Sequence, residues 1–443
     1  MQIHVIGLGA SASATLDSRA QAVLAELSVH DVVLGASRQH ETLVDYTHHA
    51  QIQAFPKLSK LTAHFEQWQQ QGVEKVVVLA SGDPLYYGIG AWLVRSFDGQ
   101  TSSHALNFYP NVSSIQVACH RLGLSLQDVH VVSLHGRPLS NLRRYLHSNK
   151  TLVLLTDQNS QPNSIAEECL AAGFDQSEII ICEALGYPHE QVRAFLATHL
   201  LATTELLFDP LNVIVVKTGE PTIGKSGFYP TSPGIPEDAF VTDKGNGRGM
   251  ITKREVRLAI LSYLNIQDGD IVWDIGAGCG GVSVELAYWH SRSKVIAIEH
   301  HSDRLACLSA NQDRFGVTQN LSIVAGRAPD VLADLPLPDR VFIGGSDGAL
   351  NDLMAKVWLC LPAGGCLMVS AVTEDSKFQV MQFSNQREQA QDADEQSVQL
   401  AVSKSDRLAG QRLYRPNLPV TLSLFTKTST GLAMSINTQK DSE

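Results

Sequence analysis

The residues best placed for chemistry lie in the second half of the chain, in Val272-Trp-Asp-Ile-Gly-Ala-Gly-Cys-Gly-Gly-Val282. An apolar run enters Gly276-Ala277-Gly278-Cys279-Gly280, and a helical pattern follows. Glycines in such a turn let the backbone approach a ligand closely and open the helix N-terminus toward it. The spacing Gly276, Gly278, Gly281 also fits a dinucleotide turn. The flanking carboxylates discriminate. Asp274, two residues before the first glycine, would repel a pyrophosphate but suits an ammonium or sulfonium. Glu299, 23 residues after Gly276, closes the next expected strand, where a carboxylate accepts both ribose hydroxyls. The two acids favour S-adenosylmethionine over NAD, with a purely structural glycine turn as the remaining alternative. After a third strand, the loop Arg327-Ala328-Pro329 is expected to present backbone amides to an adenine edge.

Cations cluster just before this turn, at Lys244, Lys253, Arg254 and Arg257. Lys253 and Arg257 lie one helical turn apart and would share a face, either toward an anionic substrate or toward solvent. Thr252 is placed to cap that helix. The first half offers Ile6-Gly-Leu8-Gly9, then Ser81-Gly-Asp83-Pro-Leu-Tyr86-Tyr-Gly88. There Asp83 can accept from backbone amides or ligand hydroxyls, while proline fixes the loop. Next come Pro110-Asn-Val-Ser-Ser114-Ile115 and Ser133-Leu-His135-Gly-Arg137. His135 and Arg137 suit substrate carboxylates, or else capping and packing.

Short β-branched runs alternating with helical patterns must position these residues. Strands are expected at Ile3–Ile6, Val32–Leu34, Val76–Ala80, Leu106–Tyr109, Val129–Ser133, Leu152–Leu155, Ile179–Glu183 and Val213–Val216. In the second half they are expected at Ile271–Ile275, Lys294–Glu299, Leu321–Ala325, Arg340–Ile343 and Gly365–Ala371, with late runs at Val398–Val402 and Val420–Phe425. This predicts two consecutive α/β domains with mainly parallel sheets covered on both faces. The stretch Gly219–Gly234, with four glycines and three prolines, reads as the linker. The domains are thus 1–218 and 235–428, with a polar tail at 429–443. Gln386–Gln399 reads as an exposed acidic helix or loop.

The 443 residues carry a formal charge of −11, which argues against a protein that coats nucleic acid. Seven cysteines without CxxC or zinc spacing predict scattered thiols and no metal site. No apolar run approaches bilayer length and the N-terminus lacks a signal-peptide pattern. A soluble, cytoplasmic protein with neither membrane nor nucleic-acid partner is expected.

Thr252-Lys-Arg-Glu-Val-Arg257, Trp273-Asp-Ile-Gly-Ala-Gly278, Ala297-Ile-Glu299, Phe342-Ile-Gly-Gly-Ser346 and Ala371-Val-Thr373 occur in order. Together they resemble the cobalamin-pathway methyltransferases that methylate C15 of a precorrin and decarboxylate its C12 acetate. The Gly-Asp-Pro, Ser-Ser-Ile-Gln and Ser-Leu-His-Gly-Arg segments resemble the tetrapyrrole methylase family, in its branch acting at precorrin C5. The resemblance implies a two-lobed tetrapyrrole methylase domain followed by a Rossmann-like class I methyltransferase domain. It also implies a tetrapyrrole substrate and a homo-oligomer. By position it implies cofactor contacts at Leu8, Asp83, Tyr86, Ser114, Ile115 and Leu155 in the first domain. In the second it implies contacts at Thr252, the 276–280 turn, Glu299 and Ala328. For the decarboxylation proton, Asp243, Glu255, His300 and Ser346 are the candidates. An RNA or protein methyltransferase and a non-catalytic tetrapyrrole carrier are the competing readings. The acidic charge weighs against the first, and intact Asp274 and Glu299 against the second.

Overall fold

The computed structural model describes residues 1–97, 105–203, 206–222, 230–245 and 247–428. The chain divides into two compact units, Met1–Leu139 with Leu146–Ser226, and Ser140–Tyr145 with Gly227–Glu443. Residues 223–229 of the expected linker and the whole tail 429–443 lie outside the described residues.

The first unit contains two sheets. Strands β1 (Gln2–Gly7), β2 (Val32–Gly35), β3 (Gln51–Ala54), β4 (Lys75–Ala80) and β5 (Ala105–Tyr109) form the first, in the order β3-β2-β4-β1-β5. All its pairings are parallel. The apolar runs of β1, β2 and β4 are buried on both faces, as the helical crossovers of a parallel sheet require. The second sheet is built from β6 (His130–Ser133), β7 (Thr151–Leu155), β8 (Glu178–Glu183), β9 (Gln191–Leu196) and β10 (Asn212–Lys217), in the order β6-β7-β10-β8-β9. Only β6 and β7 run parallel there. The pairings β7–β10, β8–β10 and β8–β9 are antiparallel, which corrects the expectation of a mainly parallel sheet. An uninterrupted buried run such as Ile179-Ile-Ile-Cys182 does not encode strand direction. The short link from β8 to β9 does, because a parallel crossover needs a dozen residues or more.

The second unit holds β11 (Ile271–Ile275), β12 (Lys294–Glu299), β13 (Leu321–Ala325), β14 (Arg340–Ile343), β15 (Cys366–Ala371), β16 (Ala393–Leu400), β17 (Ser403–Leu408), β18 (Gln411–Pro416) and β19 (Val420–Lys427). Its main sheet has the order β13-β12-β11-β14-β15-β19-β16. The first five strands are parallel, and β19 is antiparallel to both neighbours. Side chains alternate across the sheet. Val272 packs with Ile260, Leu264, Val284 and Leu308 on one face, whereas Trp273 and Ile275 pack with Leu353, Val357 and Trp358 on the other. The segment Gln386–Gln399 is not one acidic helix or loop. The helix Glu374–Ala390 ends at Gln391 in the left-handed region, and β16 begins at Ala393. Strand β16 replaces the run expected at Val398–Val402, and the exposed hairpin β17–β18 follows it.

Candidate functional site

The parallel strands of the second unit deliver their carboxyl ends to one cavity of about 330 Å³. That volume is within the range of small-molecule sites. It lies where the strand order reverses, between β11 and β14, the place where open α/β sheets bind ligands. Ile275 ends β11 and Gly276–Gly278 follow it, Ile298 and Glu299 end β12 with His300 just after, Gly326–Ala328 follow β13 and Gly344–Asp347 follow β14. The segment Gly249–Lys253 completes the wall.

Two glycines make this geometry possible. Gly276 has φ +73°, and a Cβ there would stand 2.7 Å from the Gly345 backbone N and O. Gly278 has φ +59°, and its Cβ would stand 2.5 Å from the Met250 carbonyl. Any side chain would wedge the β11 turn away from its neighbours, because L-residues disfavour this region and backbone cannot yield. The Cys279 N–H donates to the Met250 carbonyl at 2.9 Å, fixing the 249–253 segment over the turn.

Glu299 lies on the cavity wall and is almost wholly buried. Its Oε2 accepts from the Gly278 N–H at 2.9 Å, and its Oε1 from the His300 and His301 N–H groups, each at 2.9 Å. Those three amides hold the carboxylate in one orientation. Around it, His300 Nε2 lies 3.3 Å from the Asp347 carboxylate, and Arg327 reaches the same carboxylate at 3.5 Å.

Asp274 does not line the cavity. It corrects the expectation of a carboxylate facing the ligand. Strand alternation puts it on the face of Val272, beneath the helix Gly281–Trp289, where the Ser283 hydroxyl donates to Oδ2. Burial pushes the Asp274 carboxyl up to about 7; hydrogen bonding from Ser283 opposes this, and the Glu299 charge adds to it. Cys279 and Gly280 also lie behind the turn. The Cys279 thiol, pushed up to about 12 by burial, faces Asp243. Gly280 caps the helix with φ +88°.

Arg257 requires a second correction. Its expected role beside Lys253 on a substrate-facing surface fails because it is 0% exposed and paired with Glu285 at 2.9 Å. Its guanidinium also donates to the Thr252 and Ile235 carbonyls, and Glu285 accepts from the Gly234 and Ile235 N–H groups at 2.8 and 2.9 Å. The helix starts at Arg254, so Lys253 and not the expected Thr252 occupies its N-cap, and both residues line the cavity wall. Gly276, Ala277, Gly278, Ala328, His300 and Ser346 are also wall residues, whereas Asp243 and Glu255 are not among them. Arg304 was not legible in the sequence. It lines the cavity from the helix Ser302–Arg314, and nothing in its local spacing sets it apart from a surface arginine.

In the first unit the structure gathers three loops. Gly82 bridges to Gly9, its N–H donating to the Gly9 carbonyl at 3.2 Å, and a Cβ on Gly82 would stand 3.1 Å from the Ser113 Cα. Asp83 Oδ1 accepts from the Leu85 and Tyr86 N–H groups at 2.8 and 3.0 Å, closing the Gly-Asp-Pro turn on itself. Ser113 caps the helix Ser114–Leu122 in a reciprocal box with Gln116. Leu8, Asp83, Tyr86, Ser114 and Ile115 therefore converge. The side chains of Leu8 and Ile115 are in the core, leaving their backbones for any ligand. Leu155 belongs to the other sheet, where its carbonyl accepts from the Leu134 N–H at 2.9 Å. His135 and Arg137 follow in an exposed loop. The Tyr87 hydroxyl, donating to the Val131 carbonyl at 3.1 Å, ties the Gly-Asp-Pro loop to that sheet.

Among the described residues no group of three or more His, Cys, Asp or Glu could hold a metal ion, and no helix is long and apolar enough to cross a membrane. Residues 2–201 match the family of tetrapyrrole (corrin/porphyrin) methylases, and residues 238–427 match the precorrin methyltransferase domain family. A precorrin-6Y C(5,15)-methyltransferase [decarboxylating] of Sinorhizobium sp is 33% identical over 425 residues, covering 96% of each chain. A second protein of that description, from Mycobacterium tuberculosis (strain CDC 1551 / Oshkosh), is 31% identical over 85% of this chain and 88% of its own. A crystal structure of a precorrin-6Y C5,15-methyltransferase from Geobacter metallireducens GS-15 aligns with 45% of this chain and 100% of its own, at 33% identity and a TM-score of 0.41. The likeness to the two full-length relatives runs through both units, and on that ground the chain belongs to the precorrin-6Y C5,15-methyltransferase (decarboxylating) family.

Proposed function

We propose that the protein is a bifunctional enzyme of corrin-ring synthesis. It methylates precorrin-6B at C5 and at C15 with two molecules of S-adenosylmethionine, and releases the carboxyl of the C12 acetate as CO2, giving precorrin-8. The observation that supports this most strongly is the cavity at the carboxyl ends of β11–β14, with an oriented Glu299 in its wall, in a chain that matches a decarboxylating relative over 96% of its length. We assign C5 methylation to residues 1–218 and C15 methylation with decarboxylation to residues 235–428, with 219–234 as the linker.

The residues present fit the cofactor. The turn at Gly276 and Gly278 has no room for side chains, and its backbone forms part of the cavity. Glu299, held by three amides, keeps one lone pair, on Oε2, free to accept a ribose hydroxyl. Ala328 is also in the cavity wall. Bound S-adenosylmethionine supplies an electrophilic methyl group on a sulfonium. Methylation of an enamine-like ring carbon requires no protein nucleophile. The chain's task is to align the two carbons at close range, a contribution of several kcal/mol through proximity alone.

Each methylation would form a C–CH3 bond at a ring carbon as the S–CH3 bond breaks, leaving S-adenosylhomocysteine and releasing the proton of the replaced C–H. The decarboxylation breaks the CH2–COO⁻ bond, and the remaining CH2 takes up one proton to become a methyl group. Lys253, half-buried on the cavity wall, offers an ammonium to a substrate carboxylate. In the first unit, Asp83, Tyr86 and the loop at Ser114 are assigned to the cofactor, and His135 and Arg137 to substrate carboxylates. Mass spectrometry of the products from metal-free precorrin-6B and S-adenosylmethionine tests the proposal. Addition of two methyl groups with loss of one CO2 is expected, and an unchanged substrate refutes it.

A further inference from the structure

Arg304 carries charge into the cavity without spending its hydrogen bonds. Its side chain is 23% exposed and lines the wall beside Glu299. Its Nε points at the Asp243 carboxylate from 3.8 Å, and its Nη1 at Glu299 Oε1 from 4.0 Å. Both separations exceed hydrogen-bond length, and the buried Nε has no hydrogen-bond partner among the described residues. A guanidinium has five donors, and leaving them unmet away from water is costly.

Its neighbours are held elsewhere. Asp243 Oδ1 accepts from the Met250 N–H at 3.0 Å, which ties it to the segment over the glycine turn. Glu299 is fixed by Gly278, His300 and His301. The structure thus keeps a carboxylate and a guanidinium side by side on one wall, slightly too far apart to bond each other.

We infer that Arg304 is a second binding residue for the cofactor ribose, donating to a hydroxyl oxygen of the diol while Glu299 accepts a hydroxyl proton. This inference rests on the assignment of S-adenosylmethionine to this cavity. A hydroxyl is both donor and acceptor, so a vicinal diol satisfies an acceptor and a donor placed next to each other. A carboxylate alone uses only half of that capacity. The pair also disfavours ligands lacking the diol, because the Arg304 donors and the remaining Glu299 lone pair then lose that partner.

Calorimetric titration of the full-length protein tests this, with S-adenosylhomocysteine and its 2′-deoxy and 3′-deoxy analogues as probes. The component of the isotherm that disappears in Glu299→Ala reports this site. Arg304→Met is expected to weaken S-adenosylhomocysteine at that site by about tenfold to a hundredfold, as for loss of a charge-assisted hydrogen bond. The same substitution should change the affinity of at least one deoxy analogue less than threefold, since its partner oxygen is already missing. Arg304→Lys, which keeps a donor, should recover part of the loss. Equal weakening of the parent ligand and both analogues, or no weakening of any, overturns the inference. A wild-type protein that binds S-adenosylhomocysteine at neither site would instead overturn the cofactor assignment itself.

Discussion

Replacing Arg257 with methionine isolates one physical claim, that a buried ion pair fastens the cavity wall. Both partners are 0% exposed. Removing the guanidinium leaves the Glu285 carboxylate charged in the interior, a loss of about 3–5 kcal/mol. It also orphans the Thr252 and Ile235 carbonyls, to which Arg257 donates. Each buried acceptor left unmet costs about 1–3 kcal/mol when it cannot find water. These contributions overlap, so about 5 kcal/mol is expected for the second unit. With an m-value of about 2.5 kcal/mol/M in urea, the unfolding midpoint should fall by about 2 M. Tryptophan fluorescence is a suitable probe, because the Trp289 indole N–H donates to Glu285 Oε2 at 3.3 Å. Arg257→Lys keeps the charge but cannot reach three acceptors at once, and should fall between wild type and Arg257→Met. A midpoint shift below about 0.5 M for Arg257→Met would refute the reasoning, since an unpaired buried carboxylate cannot be that cheap.

The Asp274 carboxyl titrates near 7 in the folded protein and near 4 when unfolded, so the folded state retains a proton that the unfolded state loses. The contribution of Asp274 to stability should therefore decline as pH rises from about 4 to about 7, by about 4 kcal/mol in all, so the stability difference between Asp274→Asn and wild type should change over that range in urea denaturation series; a pH-independent difference would contradict it. Gly278→Ala drives a Cβ to 2.5 Å from the Met250 carbonyl at a positive φ. It should weaken cofactor binding in the second unit at least about tenfold by calorimetry, and unchanged affinity would count against the close-approach account. The thiols of Cys169, Cys182 and Cys279 are each pushed up to about 12 by burial, so all three should resist iodoacetamide at pH 8 in the native protein, as peptide mapping would show.

The glycine turn and Glu299 were legible because their chemistry is local. A strand end, positive-φ glycines and an acid at the next strand end are set by neighbours in sequence. Asp274 was identified by the same pattern, but its direction depends on alternation along β11, which places it with Val272 under a helix. Arg257 misled because helical spacing reports a shared face and not what covers that face; its partner Glu285 is 28 residues away. Strands β3 and β9 are not legible in the sequence because they are mostly exposed, and β3 has only four residues. Each is an edge strand, paired on one side only. The hairpin β17–β18 is almost wholly exposed, and its turn is signalled only by Ala409-Gly410. Antiparallel pairing in the second sheet was hidden for a different reason. Buried strands read as apolar runs whichever way they point.

Two independent methylation sites in one chain are the core of the account, and product analysis of two single substitutions tests them most directly. Glu299→Ala should lose C15 methylation and retain C5 methylation of the appropriate intermediate, while Asp83→Ala should do the reverse, each seen by mass spectrometry as a product with one methyl group added. If either substitution, in a protein that remains folded, abolished both additions, the two-site account would be contradicted.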